Sequence, residues 1–245
     1  MTEESVMAER ESEQAEHRHE ESVWQDPEHV RRFAETIDAR TGEREPLFRL
    51  MAALLPYPSD QPIRVLDLGS GLGTAAAAVL AAFPNAHGVG LERSEEMIRR
   101  GMERMAGFGE RFRYAAGDFS AGLPASVEGD FDAIVSAAAI HHLPAEQKPQ
   151  LYASCRPRLK PGGALFNLDY VQPPDHYVLS RYQAVWEAED AGRGIESADG
   201  SHAPPRHYSG GLLEEHLAWL RDAGFVSVDC FAKRLNLALI GGFRR

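Results

Sequence analysis

The ten residues Val65-Leu66-Asp67-Leu68-Gly69-Ser70-Gly71-Leu72-Gly73-Thr74 constrain this chain more than any other segment. Val65, Leu66 and Leu68 form the apolar run of a strand covered on both faces. Three alternating glycines follow; glycine accepts positive φ and lets a ligand approach the backbone closely. Thr74 can open a helix, and Ala75 to Ala82 is strong helix-forming sequence. Strand, glycine turn and helix together predict a ligand pocket at a strand's carboxyl end, the place where open α/β sheets bind small molecules.

The glycine spacing and one acid narrow the ligand. The dinucleotide fingerprint is G-x-G-x-x-G/A, whereas here Thr74 occupies the last position and the third glycine comes one residue early. The strand also carries Asp67, two residues before the first glycine. A carboxylate there repels a pyrophosphate and suits a cationic ligand group. This acid-then-glycines segment resembles the first motif of the class I S-adenosylmethionine (SAM)-dependent methyltransferases. SAM carries a sulfonium and an ammonium and no phosphate, which agrees with that charge.

Later segments extend the resemblance from about Arg64 to Val171, and more weakly from Gly224 to Phe243. Ala86 to Leu91 reads as a second strand ending at Glu92, which lies 19 residues after Gly73. That is close to the roughly 20-residue offset at which an acid meets a ribose hydroxyl. Phe112 to Ala116 reads as a third strand, followed by Gly117-Asp118-Phe119. The resemblance implies that Asp118 accepts from the adenine amino group and Phe119 flanks the ring. It implies a cofactor set of Asp67, Gly69, Ser70, Gly71, Gly73, Glu92, Arg93, Asp118, Phe119, Ser136 and Ala137, and no metal. Phe131 to Ser136 reads as a fourth strand, Leu159 to Gly163 as a helix stop and tight turn, and Ala164 to Val171 as a fifth strand. The implied fold is a Rossmann-like, doubly wound, seven-stranded sheet, mostly parallel with one antiparallel strand. Val226 to Phe231 and Leu235 to Ile240 supply its closing pair, and a helical cap precedes it.

Composition excludes some partners. The net charge is −11, and residues 1–22 hold eight Glu against Arg10 and Arg18. Lysine occurs only at 148, 160 and 233. Binding a nucleic-acid backbone needs clustered Lys and Arg, so a nucleic-acid partner is not expected. Cys155 and Cys230 have no metal or redox spacing, and Cys155 reads as a small core residue. No apolar run reaches membrane-spanning length, and the acidic start is no secretory signal, so a cytoplasmic location is expected. Oligomeric state is left open between monomer and homodimer.

The organisation reads as one domain with trimmings. Residues 1–22 form an acidic tail, 23–61 a helical cap, 62–171 the SAM-binding core, 172–210 an insertion shaping the acceptor pocket, and 211–245 a closing helix and strands. In the cap, Asp26 and Pro27 open a helix that Gly42 should stop, and a second helix should run from Pro46 to Pro56 with Leu47, Leu50, Met51, Leu54 and Leu55 on one face. The insertion contains an amphipathic helix carrying Val178, Leu179, Tyr182, Val185 and Trp186. Its His176, Tyr177, His202, His207 and Tyr208 are pocket candidates.

His141-His142-Leu143 follow the fourth strand and resemble the form found in methyltransferases of quinone and small-metabolite pathways. A histidine beside the sulfonium can act as a base near neutral pH. His142, then His141, with Asp169 and Tyr170 at the end of the fifth strand, are the candidate catalytic residues. The expected function is methyl transfer from SAM to a small-molecule O, N or C acceptor. Two alternatives remain open at this point: an enzyme of tRNA modification or SAM remodelling, and a non-catalytic SAM-binding subunit.

Overall fold

Strand β1 (Arg64–Leu68) forms the centre of the molecule because its side chains alternate between two apolar faces. Val65 joins one core and Leu66 and Leu68 the other, so both faces need a helical cover. The computed structural model describes residues 26–125, 127, 129–193 and 210–245. β1 pairs in parallel with β2 (His87–Glu92) and β4 (Phe131–Ala137); β3 (Phe112–Ala116) and β5 (Leu159–Tyr170) extend the parallel sheet outward. β7 (Leu237–Phe243) runs antiparallel to β5 and to β6 (Val226–Arg234), giving the order β3-β2-β1-β4-β5-β7-β6. Strand order reverses between β1 and β4, and that switch point is where such sheets hold ligands.

One face is covered by α1 (Pro27–Ala53) and α2 (Thr74–Ala82), whose Phe48, Met51, Val79 and Leu80 pack against Val65, Val135 and Phe166. The other carries α4 (Gln147–Cys155) and α6 (Leu213–Asp222), whose Leu151, Tyr152, Cys155 and Leu220 meet Leu66, Leu68 and Ile134. α3 (Glu95–Met105) is capped by Ser94, whose Oγ accepts from the Met97 N–H at 3.2 Å. α5 (His176–Arg193) spans the expected helical segment, but its face is not buried: Val178, Leu179, Tyr182 and Trp186 are half-buried and Tyr177 and Val185 exposed.

Two local expectations are corrected. The cap is one helix of 27 residues, with Pro46 inside it, rather than two. Asp26 caps it as expected, its carboxylate accepting from the Glu28 N–H. Gly42 and Pro46 are four residues apart, so both breakers fall on one hydrogen bond, the one a proline cannot donate. The second correction concerns Leu159 to Gly163. This segment belongs to β5, where the register jumps from Phe131↔Leu159 to Ala133↔Ala164, a bulge rather than a turn that ends the element. It is held because Gly162 N–H donates to the Arg244 carbonyl and Arg244 N–H returns to Gly163.

Candidate active site

The glycine turn is shaped by the space its missing side chains leave. Gly69 has φ +61°, and a Cβ there would lie 2.4 Å from that of Ala139 and 3.2 Å from the Phe119 ring. Gly71 has φ +52°, and its missing Cβ would meet nothing closer than the Gly69 carbonyl at 4.0 Å, so it faces open space. That space is a cavity lined by the loop, by Glu92, Asp118 and Phe119 on one side, and by Ala137 to Ala139, His142 and Leu143 on the other. Arg44 and Phe48 of α1 form its lid.

Three acids end the first three strands. Asp67 is buried, accepting from Ser70 Oγ at 2.9 Å and from the Ala76 N–H at 3.1 Å. It thus caps α2 from the strand, since Gly73, in the left-handed conformation, offers no side chain. Burial pushes the Asp67 carboxyl up to about 7, the bonds from Ser70 and Ala76 oppose this, and the Glu92 charge adds to it. Glu92 accepts from the Gly71 N–H through one oxygen and from the Arg93 and Ser94 N–H groups through the other, each at 2.9 Å. A carboxylate has about four acceptor sites, so it can tie down the loop and still take a ligand hydroxyl. Asp118 accepts from the Ser120 N–H and lies 3.7 Å from the Arg93 guanidinium.

On the far side, the chain leaves β4 through Ala138, at φ +51°, a strained value for a residue with a Cβ. This turn brings His141 and His142 to the end of β5. Asp169 is buried and fully engaged there, accepting from the His141 N–H at 2.9 Å and the Tyr170 N–H at 2.8 Å, with His141 Nδ1 at 2.6 Å. Burial would raise the Asp169 carboxyl, but the His141 charge and these bonds outweigh it and hold it down to about 2. With Nδ1 on Asp169, His141 is fixed in orientation. The His141 and His142 rings stack with centroids 3.9 Å apart, and Tyr170 meets His141 edge-on at 5.3 Å.

The structure therefore gathers Asp67, Gly69, Ser70, Gly71, Glu92, Arg93, Asp118, Phe119, Ala137 and His142 around one cavity. Ser136 is buried, and its hydroxyl donates to the Leu68 carbonyl, joining β4 to β1. Gly73 serves the helix start rather than the lining. Asp169 and Tyr170 stand behind His141. His176 and Tyr177 are exposed on α5 outside this lining; His202, His207 and Tyr208 lie outside the described residues. Among lining residues the sequence left unmarked are Arg44, Phe48, Leu72 and Met97. Val30 of α1 is fully buried on Leu72 and Met97, so the cap rests on the glycine loop itself. Tyr114 was also unmarked; its hydroxyl donates to the Gly71 carbonyl at 2.9 Å and supports the loop from below.

Comparison with known proteins agrees with this geometry. Residues 65–163 match a methyltransferase domain model. The chain is 30% identical over 172 residues to a demethylmenaquinone methyltransferase of Clavibacter sepedonicus, covering 68% of this chain and 66% of the relative. The chain carries a SAM-dependent methyltransferase domain. It is also 33% identical over 119 residues to a trans-aconitate 2-methyltransferase of Deinococcus radiodurans, covering 48% of this chain and 41% of that one. It thus spans less than two thirds of the length of these relatives. Among solved structures, the pyocyanin biosynthetic protein PhzM superposes with a TM-score of 0.64 at 21% identity, covering 91% of this chain and 60% of that one. Human N-acetylserotonin methyltransferase, solved with SAM, gives 0.63 at 15% identity, covering 91% and 57%. These two show the shared fold.

The family's cofactor fits the residues present. The open space over Gly71 admits a ligand against the backbone, and Asp67, Glu92 and Asp118 provide acceptors for a cationic, hydroxyl-rich molecule. Among the described residues, no His, Cys, Asp and Glu group is arranged to hold a metal ion, and no helix is long and apolar enough to cross a membrane.

Proposed function

We propose that this protein transfers the methyl group of SAM to a small-molecule acceptor, with an acidic hydroxyl as the favoured nucleophile. One observation carries the reading: a single cavity joins the acid-ended glycine loop to His142, so a donor seated on the loop faces an imidazole. A SAM-binding subunit without activity would have no use for an open second half. The demethylmenaquinone and trans-aconitate enzymes named above act on small molecules, which favours that acceptor class over tRNA.

The donor supplies a methyl group that is already electrophilic, so the protein mainly provides position and a dry cavity. Glu92 and Asp118 would hold the ribose and adenine ends, and Asp67 would face the amino-acid end. Phe48, Leu143 and Ala139 keep water from the reacting atoms. The His142 imidazole would take the acceptor's proton, and bound SAM would supply the methyl group. Asp169 acts through His141: it fixes that ring, against which His142 is stacked. Positioned general bases contribute about 10²–10⁴-fold. The test is a screen of small metabolites with methyl-labelled SAM and purified protein. Label should appear in a small organic product. Label found only in added tRNA, or SAM binding without turnover on any fraction of a metabolite extract, would overturn the reading.

A further inference from the structure

Charge is divided unevenly across the cavity. The acids that line it, Asp67, Glu92 and Asp118, all sit at the ends of β1, β2 and β3. Two arginines line it as well. Arg93 stands at the β2 end and has Asp118 beside it at 3.7 Å. Arg44 comes from α1 and reaches the opposite side. Its guanidinium donates to the Tyr170 hydroxyl and lies 5.5 Å from the centre of that ring. Among the described residues no carboxylate pairs with Arg44. The buried Asp169, beside Tyr170, has its oxygens on His141 and Tyr170.

A half-buried cation facing an apolar wall of Phe48 and Leu143 is costly unless something negative balances it. Tyr170 supplies one acceptor and a ring face, which orient the guanidinium but do not neutralise it. A guanidinium presents five N–H groups in a planar fork that matches a carboxylate, and one bond to Tyr170 leaves most of them unused. We infer that Arg44, oriented by Tyr170, is an acceptor-specificity residue that binds a carboxylate on the methyl acceptor. The inference rests on the methyltransferase reading and adds the substrate class: a hydroxy acid or other carboxylate-bearing molecule, its anion held at Arg44 while its nucleophile lies toward His142. The same polarity keeps the two ligands apart. The cationic end of SAM is drawn to the acid half and the anionic acceptor to the arginine half.

The experiment uses the full chain with methyl-labelled SAM and a panel of small hydroxy acids, aliphatic and phenolic, each beside its uncharged carboxamide. SAM affinity is measured separately by calorimetry. In the wild type the acids should be methylated at least tenfold more efficiently than their amides. Arg44→Gln should raise KM for the acids about tenfold or more, move kcat little, erase the preference over amides, and leave SAM affinity within about twofold. Arg44→Lys should recover part of the loss, since it keeps the charge without the fork. Tyr170→Phe, which keeps the ring and removes the acceptor, should raise KM by a smaller factor. Three results would overturn the inference: amides methylated as well as acids or better, no acid in the panel methylated, or a preference unchanged in Arg44→Gln. A tenfold loss of SAM affinity in Arg44→Gln would also overturn it, by giving the carboxylate to the methionine end of SAM. Absence of SAM binding in the wild type would instead remove the methyltransferase reading itself.

Discussion

The two halves of the cavity are built in different ways. The half over β1, β2 and β3 comes from short, local segments: a strand end, an acid and the turn that follows it. Its geometry is mostly backbone, with the Gly71, Arg93 and Ser94 N–H groups all fastened to Glu92. The half over β4 and β5 is lined by side chains distant in sequence, Arg44 and Phe48 from the cap and His142 after β4, with Tyr170 and Asp169 of β5 bonded to Arg44 and His141 behind them. A site made of backbone and strand ends can be kept while one made of side chains changes. On the proposed reading, one half takes the donor and the other the acceptor.

The variants that would break this division run from large effects to small. Replacing both His141 and His142 with Ala should lower kcat by about 10²–10⁴-fold, the range for a positioned base. His142→Ala should account for most of it, and SAM affinity should hardly move. Rate measurements with the acceptor in hand decide this, and a fully active double variant would remove the base.

Glu92→Gln should act on the other half alone. Charged hydrogen bonds contribute roughly 1.5–3 kcal/mol against about 1 for neutral ones, so SAM affinity should drop about tenfold or more. Because this carboxylate also holds three backbone N–H groups, the ligand-free protein should melt lower as well. Calorimetry and thermal melting read the two effects, and an unchanged SAM affinity would contradict the ribose assignment.

Asp67 gives a pH signature. Its folded carboxyl is raised to about 7 from the ordinary value of 3.8, so between these values the folded state holds a proton that the unfolded chain has released. The protein binds more protons folded than unfolded there, and stability should fall as pH rises through that window. Asp169 has the opposite sign. Held down to about 2, it adds stability above the ordinary carboxyl value that is lost as pH falls toward 2. A cation seated beside Asp67 favours its charged form, so SAM binding should release up to about one proton near pH 6. Calorimetry in buffers of different ionisation heat measures this, and Asp67→Asn should abolish it.

The smallest effect should come from the cap. Val30→Ala removes a contact with Leu72 and Met97 without touching the ligand. SAM affinity should weaken by only a few fold. Hydrogen exchange over residues 27–43 should slow when SAM or its demethylated product binds, and exchange equally slow without ligand would mark a fixed cap.

The division also explains what could be read from the chain. The lining over β1, β2 and β3 was legible because glycine spacing and strand-end acids are local signals, and Asp67, Gly69, Gly71, Glu92 and Asp118 all stand around the cavity. Ser136 was placed on the right strand end, yet its hydroxyl is used within the sheet, a choice set by the neighbouring strand. Arg44 gave no signal. It lies in a stretch that Gly42 and Pro46 make look like a break, and it gains meaning only when the helix runs through and crosses β5. The bulge at Leu159 to Gly163 was hidden for a similar reason, since its Pro and Gly also spell a turn and only pairing with Arg244 holds them in the strand.

The central claim is that donor and acceptor occupy opposite halves of one cavity, with the reacting methyl between them. A crystal structure with S-adenosylhomocysteine tests it most directly. The account predicts adenine beside Asp118 and Phe119, both ribose hydroxyls within hydrogen-bond distance of Glu92, and the sulfur facing His142 across an open pocket under Arg44. A ligand whose sulfur points away from His142, or whose body fills the Arg44 side, would contradict it.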